Sequence, residues 1–433
     1  MTAKNQDVHL DEIVSLAKRR GFIYQGSEIY GGLSGTWDYG PLGVALKRNI
    51  TNLWWQTFVD EREDMFGVDA AILMNQQVWV ASGHVDTFTD PLVECKECKA
   101  RFREDQIDTS KCPNCGKKDT FSEPRQFNMM FKTNVGPVDD ESSLSYLRPE
   151  TAQGIFTNYK NVVDSFYPDL PFGIGQIGKA FRNEISPRDF IFRSREFEQM
   201  EIEYFVHPDK WEESFEAWRQ AVWDWLDKLG LPKDKVHELE VPEADRAHYS
   251  KRTIDFEYDF PIGRKELLGL AYRTDFDLMN IQNSAGKSME YTVKGSNEKL
   301  VPHVIEPSFG VERAVMAVLT AAYRVDEQAG EKRVYLALPK HLAPVKFAVS
   351  PLLKNKPELV GKAREVYKTL KAKYGAVMWD DNGNIGKRYR RQDEIGTPYC
   401  VVIDFETLED DSVTVRERDT TKQERKNVEN ITF

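Results

Sequence analysis

The 433-residue chain is long enough for about three domains at roughly 150 residues each, and with 40% apolar and 30% charged residues it is neither disordered nor fibrous. Its longest apolar runs are a few residues, far short of the roughly 18 that a membrane helix needs, and polar Met1–Leu10 lacks the apolar core of a signal peptide. The net charge of −11 argues against a surface coated for nucleic acid, but it is segregated: Val334–Phe433 carries 18 basic and 15 acidic residues, and the remainder 41 and 55.

Asp11–Arg20 reads as a short helix, followed by a glycine-rich turn, Tyr30-Gly-Gly-Leu-Ser-Gly35. Gly40-Pro41 then opens a long helix, because proline suits the first helical position. Leu42, Leu46, Ile50, Leu53, Trp54 and Phe58 recur along it at helical spacing, as either a core face or a subunit interface. Next come Cys95, Cys98, Cys112 and Cys115, a C-x2-C pair, thirteen residues, and a second C-x2-C pair. Two disulfides or four free thiols would satisfy the count, but four thiolates on tight turns suit one tetrahedral zinc ion. With every ligand position filled by cysteine, such a zinc is structural. Residues 91–123 around it read as an insertion.

Residues 127–206 read as strands and loops dense in arginine, glutamate and aromatics. Trp211–Leu229 is a second amphipathic helix, Ile254–Phe260 and Glu290–Val293 are strands, and Glu312–Tyr323 is an apolar helix after a glycine turn. Beyond Leu338-Pro339 the rhythm changes. Val345–Val349, Ala376–Trp379, Tyr399–Phe405 and Ser412–Glu417 read as strands, and Pro357–Tyr374 and basic Lys387–Ile395 as helices. This alternation predicts a small α/β domain starting near residue 335, where the charge turns positive. Cys400 stands alone in an apolar run and reads as a core residue.

Gly173-Ile-Gly-Gln-Ile-Gly178 fits a dinucleotide-binding pattern, and with Lys179-Ala180 nearly fits a phosphate loop. Both need a helix immediately afterwards, and Pro187 leaves little room for one. Ala180 also stands where the phosphate loop needs a magnesium-binding hydroxyl. Phe181–Glu184 and Phe192–Glu203 read instead as two charged strands joined by a loop. Arginine, carboxylate and aromatic side chains together suit a nucleotide: arginine grips phosphate, an aromatic ring stacks on the base, and a carboxylate reads an exocyclic amine.

This hairpin resembles motif 2 of the class II aminoacyl-tRNA synthetases. Trp37-Asp-Tyr-Gly-Pro-Leu-Gly43 resembles their motif 1, a dimer-interface element, and Glu306-Pro-Ser-Phe-Gly-Val-Glu-Arg313 resembles motif 3, a loop entering a helix with an ATP-binding arginine. Ser82-Gly-His-Val85, Arg148-Pro-Glu-Thr-Ala-Gln-Gly154, Phe181-Arg-Asn-Glu-Ile185 and Arg273-Thr-Asp-Phe-Asp-Leu278 are similar to the dimeric, glycine-specific branch, and the resemblance runs from about Asp11 to Asp419.

The resemblance implies an α+β fold: a catalytic domain on an antiparallel sheet (residues 1–335, with the zinc insertion) and a C-terminal α/β anticodon-binding domain (336–433). It implies a cytoplasmic homodimer, without a membrane, that uses ATP with Mg2+ to make glycyl-adenylate and passes the glycyl group to tRNA-Gly. ATP would contact Arg182, Asn183, Glu184, Phe192, Arg193, Ser194, Arg195, Glu196, Phe197, Glu266, Leu267, Gly310, Val311, Glu312 and Arg313. Among these, Arg182 would hold the α-phosphate and the glycine carboxylate, Glu184 the adenine amine, and Phe197 the adenine face. The glycine pocket would comprise Glu150, Phe197, Glu198, Gln199, Met200, Glu201, Glu306, Pro307, Ser308, Phe309 and Gly310, with Arg103 closing over it. Carboxylates fit a substrate recognised by its ammonium, and a rigid pocket rejects alanine by leaving no room for a Cβ. The basic run Gly386-Lys-Arg-Tyr-Arg-Arg391 would face the anticodon. A non-catalytic relative would be expected to lose Arg182 and Arg313, and both are present.

Overall fold

Seven strands form the sheet that organises the first three-quarters of the chain: β1 (Met65–Gly67), β2 (Phe172–Phe181), β3 (Glu196–Val206), β4 (Val236–Glu240), β5 (Arg252–Phe260), β6 (Gly263–Thr274) and β7 (His303–Gly310). The structure is a computed structural model that describes residues 8–138, 140, 143–247, 249–328 and 330–433. The spatial order is β4-β5-β6-β7-β3-β2-β1, antiparallel except for β1 against β2. β2 and β3 pair from Phe181–Glu196 to Phe172–Phe205, so they are the predicted hairpin. Most of its charges, however, lie in the connecting loop, residues 182–195, and not on the strands.

Helix α1 (Pro41–Trp55) buries Leu46, Ile50 and Trp54, then widens into a π-turn that buries Phe58. Phe58 packs on Trp218 and Trp225 of α3 (Trp211–Lys228) and on Phe309 of β7, with ring centroids 5.5 to 6.3 Å apart. Inside the stretch expected to hold only strands and loops lies a 15-residue helix, α2 (Ala152–Phe166). Its buried Ile155, Phe156, Tyr159, Val162 and Val163 keep a 3.6-residue period, but their β-branched and aromatic character imitates strand composition. The residues expected as a motif 3 loop, Glu306–Gly310, form the end of strand β7, and α4 (Val311–Ala322) follows at once.

The glycines of the G-x-G-x-x-G pattern lie in β2, and no helix follows them. They are there for packing. A Cβ on Gly178 would lie 2.2 Å from the Arg148 guanidinium, and one on Gly173 would lie 2.3 Å from the Met65 sulfur.

The insertion is a three-stranded antiparallel sheet, Arg101–Arg103, Thr89–Glu94 and Arg125–Asn128, with the cysteines on its loops. The C-terminal sheet comprises β8 (Phe347–Pro351), β9 (Val377–Trp379), β10 (Tyr399–Ile403), β11 (Ser412–Glu417) and β12 (Gln423–Asn427), in the order β9-β8-β10-β11-β12. The first three are parallel and the last two antiparallel. Helix α5 (Pro357–Tyr374) covers the sheet through Leu359, Ala363, Val366 and Leu370, and Cys400 is buried as expected. β12 is fully exposed and wholly polar, which hid it from a periodicity reading; a charged edge strand resists further pairing.

The basic run in α6 (Ile385–Glu394) departs from expectation. Arg388 is buried and donates to the carbonyls of Gly383 and Pro351. Arg391 pairs with Asp380 at 2.6 Å, and Tyr389 lies under Arg416, 4.6 Å away. Lys387 is the exposed cation of the run. Arg388 is therefore internal scaffolding and Arg391 is tied to Asp380, while Arg390 and Arg391 stay about 30% exposed. No helix among the described residues is long and apolar enough to cross a membrane.

Candidate active site

Strand alternation builds the cleft. On β3, Phe197, Gln199 and Glu201 face one side, and on β7, Glu306, Ser308 and Gly310 face the same side; all six line one cleft. Their neighbours point the other way. Met200 and Phe309 are core residues, and Glu198 pairs with Lys47 of α1 at 2.7 Å. Pro307 is likewise buried and outside the cleft wall. The contiguous stretches expected from resemblance are thus split by pleating into a lining half and a backing half.

The outer end of the cleft is cationic and aromatic. The Arg182 guanidinium lies 5.2 Å from the Phe197 ring and 5.4 Å from Phe88, and donates to the Pro149 carbonyl at 3.1 Å. Among the described residues it has no carboxylate ion-pair partner. Arg193 pairs with Glu184 at 2.8 Å, and Arg313 pairs with Glu266 at 3.1 Å while stacking 4.7 Å over Phe192. Ser194, Leu267 and Glu312 also line the wall. Burial pushes Glu312 up to about 7, although its carboxylate accepts the Glu198 N–H at 2.9 Å.

Several expected ATP contacts lie elsewhere. Arg195 reaches away, donating to the carbonyls of Ser34 (2.6 Å) and Glu184 (3.0 Å), so it ties the glycine-rich turn to the motif 2 loop. Glu196 is exposed on Lys179 at 2.7 Å, and the Asn183 backbone N–H donates to the Met129 carbonyl at 2.7 Å. Val311 is a core residue at the start of α4. Arg103 is held on Asp90 and Asp105, both at 2.8 Å, and not over the cleft. Asp90 in turn lies 3.9 Å from Arg193, which links the insertion to the motif 2 loop.

The inner end is acidic and buried. Glu201 accepts from Ser308 at 2.8 Å and from Thr151. Burial, then the Glu150 charge, raises its pKa. Burial also pushes Glu306 up to about 8, although Arg273 donates to it at 2.7 Å. Burial acts on Glu150 too, but the charge of and bond from His84, 3.2 Å away, outweigh it; with Arg273 and Arg182 they hold Glu150 at about 2. Arg273 is aimed inward by an irregularity in the β6–β7 register and also grips Asp277 through two bonds, at 2.8 and 2.9 Å. Sequence motifs flagged Arg273, Asp277 and His84 without assigning them roles. Thr151 and Glu203 likewise lay in flagged stretches without a role, whereas Phe88 and Asp255 were not flagged, and Asp255, lining the cleft, is pushed up to about 7 by burial and then by Glu266 and Glu257.

The sulfurs of Cys95, Cys98, Cys112 and Cys115 all lie within 4.8 Å of one another, close enough to hold one metal ion.

The chain is 50% identical to a glycine–tRNA ligase from Thermobifida fusca, over 100% of this chain and 98% of that one. The chain belongs to the glycine–tRNA ligase family. A relative of the same name from Caldanaerobacter subterraneus is 49% identical over 98% of this chain and 97% of its own, and one from Borrelia garinii is 51% identical over 96% and 95%. Residues 127–322 match the family profile described as tRNA synthetase class II core domain (G, H, P, S and T), and residues 346–432 match that of the anticodon binding domain. The fold agrees with a solved structure of Giardia lamblia prolyl-tRNA synthetase in complex with prolyl-adenylate, with a TM-score of 0.70 at 16% identity, covering 99% of this chain and 75% of that one. Glycine–tRNA ligases are ATP-dependent ligases, and the cleft described above lies largely within the matched core.

Proposed function

We propose that this chain activates glycine in the cleft between β3 and β7 and transfers the glycyl group to the 3′-terminal ribose of tRNA-Gly. The observation that carries the reading is Arg182, without a carboxylate ion-pair partner among the described residues, at the junction of the cationic and acidic ends. A guanidinium there can hold the ATP α-phosphate and the glycine carboxylate together, so that a carboxylate oxygen attacks phosphorus and pyrophosphate leaves. A ribose hydroxyl then attacks the glycyl carbonyl and AMP leaves. Phe197 supplies a face for adenine and Glu184 an acceptor for its amine. Arg193 and Arg313 bind the polyphosphate, exchanging Glu184 and Glu266 for phosphate oxygens. ATP brings Mg2+ as part of the substrate.

At the inner end, Glu150, Glu201 and Glu306 with Ser308 receive the ammonium. These side chains are fixed by His84, Thr151 and Arg273, so a larger amino acid meets a wall that cannot yield.

The metal proposed for the cysteine cluster is zinc. Cys95–Cys115 and Cys98–Cys112 are 3.8 and 3.7 Å apart. A tetrahedron with arms of about 2.3 Å has edges of about 3.8 Å. Four cysteines leave no position for a substrate, so the zinc would brace the insertion that carries Asp90 and Arg103. A homodimer is supported by the motif 1 resemblance and by Ile29, Tyr30 and Leu33, exposed at 87, 88 and 58% beside it. The cytoplasm is the proposed compartment. A domain division near residue 335 is proposed as well; the gap between the two profile matches, 323–345, supports it.

Glycine-dependent ATP–pyrophosphate exchange, run with each of the twenty amino acids and followed by charging of tRNA-Gly, tests this reading. Exchange driven better by another amino acid would overturn it.

A further inference from the structure

Below the glycine pocket, at the closed end of the same sheet face, lies a carboxyl that the mechanism above does not use. Glu203 follows Glu201 in the inward row of β3 and is 0% exposed. Among the described residues, neither of its carboxyl oxygens has a hydrogen-bond partner. The β3–β7 register places Glu201 opposite Ser308 and Tyr204 opposite Ile305, which sets Glu203 directly across from Glu306. Two carboxyls facing each other across adjacent strands repel if both are ionised. The nearby cation cannot neutralise both. Arg273 directs two of its bonds to Asp277 and its third to Glu306.

The remaining surroundings of Glu203 add negative charge or none. Glu201 lies on its own strand, and Asp277 on the helix Phe276–Ala285. Glu150, backed by His84, stands at the near edge of the pocket. Across β2 it meets Ile174, and the rings of Phe156, Tyr159 and Phe205 close the end of the sheet face. Tyr249 stacks on Arg273, 3.7 Å away.

We propose that Glu203 is a positioning residue for glycine capture: with Glu306 it forms a buried two-carboxyl pair that holds one proton in the free enzyme and releases it when an ammonium arrives. The proposal rests on the reading of Glu306 as a carboxylate that faces that ammonium. One proton passes from the pair to bulk buffer as one ammonium enters, so the charge of the buried cluster stays constant and no bond to glycine is made or broken. A buried carboxylate without bonds or a counter-ion neutralises itself by taking up a proton. Burial and the facing Glu306 both push Glu203 well above the ordinary carboxylate range. The pair titrates as a unit.

The test uses the full-length enzyme and a non-hydrolysable glycyl-adenylate analogue. Calorimetry at about pH 7.5, in two buffers of different ionisation enthalpy, counts the protons released on binding. Wild type is expected to release about one, and E203Q about one fewer. Exchange kinetics from about pH 6 to about pH 9 give the second readout. In wild type the KM for glycine falls with rising pH, by up to about tenfold per unit, and in E203Q this slope flattens. A merely structural role would change KM equally at every pH. Absence of proton release by wild type overturns the proposal without any variant, so a misfolded E203Q does not shield it. E306Q separates the two readings. If E306Q binds the analogue as tightly as wild type, the glycine-pocket reading fails. If E306Q loses binding while E203Q keeps the wild-type proton count and slope, only the role of Glu203 fails.

Discussion

Arginine is used in opposite ways in the catalytic cleft and in the C-terminal domain. In the cleft, Arg182, Arg193 and Arg313 stand at the wall, stacked on aromatic rings or paired with carboxylates of the cleft. In the C-terminal domain, Arg388 bonds backbone carbonyls, while Arg416 pairs with Asp393, which is 0% exposed. The first set has bonding capacity left for a ligand. The second has committed it to the fold. The difference teaches that a basic run marks a binding surface only where the guanidinium is not already holding the chain together.

Replacing an arginine in each region should break opposite properties. Arg182→Ala is expected to cut glycine-dependent exchange by about 10²–10³-fold with little change in thermal stability, the cost of losing a preorganised cation at developing charge. Normal exchange would remove Arg182 from the reaction. At the acidic end, Glu201→Ala should raise the glycine KM by roughly 10²-fold through loss of a charged, buried contact while the fold persists; KM and circular dichroism measured together check this. Arg388→Ala should do the reverse, lowering the C-terminal domain's stability by about 1–3 kcal/mol through stranded carbonyls and leaving exchange intact. Urea unfolding followed by that domain's Trp379 decides it.

The comparison also has a pH arm. Glu306 is raised from 4.5 to about 8, so the folded state binds more protons than the unfolded state across that interval. Its contribution to stability must therefore decline as pH rises through the same window. E306Q should flatten that decline in denaturation midpoints measured at several pH values. The smallest effect is expected from Cys95→Ser, which should release the metal and change the kinetics only a few-fold by loosening the insertion that holds Asp90 near Arg193. Unaltered metal content would show that the site is not the proposed one.

The chain by itself determined the family, several of its helices and strands and the residue types that line the cleft, because motifs with fixed spacing and helical periodicity are local properties. It named Arg182, Glu201 and Glu306, which line the cleft, and it excluded the glycine pattern of β2 for want of a following helix. Helix α2 escaped it because helical and strand preferences overlap in a β-branched, aromatic segment. Only the tertiary structure decided which half of each motif faces the cleft, since pleating turns Glu198, Met200, Pro307 and Phe309 away from their neighbours. It alone placed Glu203 opposite Glu306, and it buried Arg388 while leaving Arg182 without an ion-pair partner among the described residues, because strand register and burial depend on what lies across the sheet.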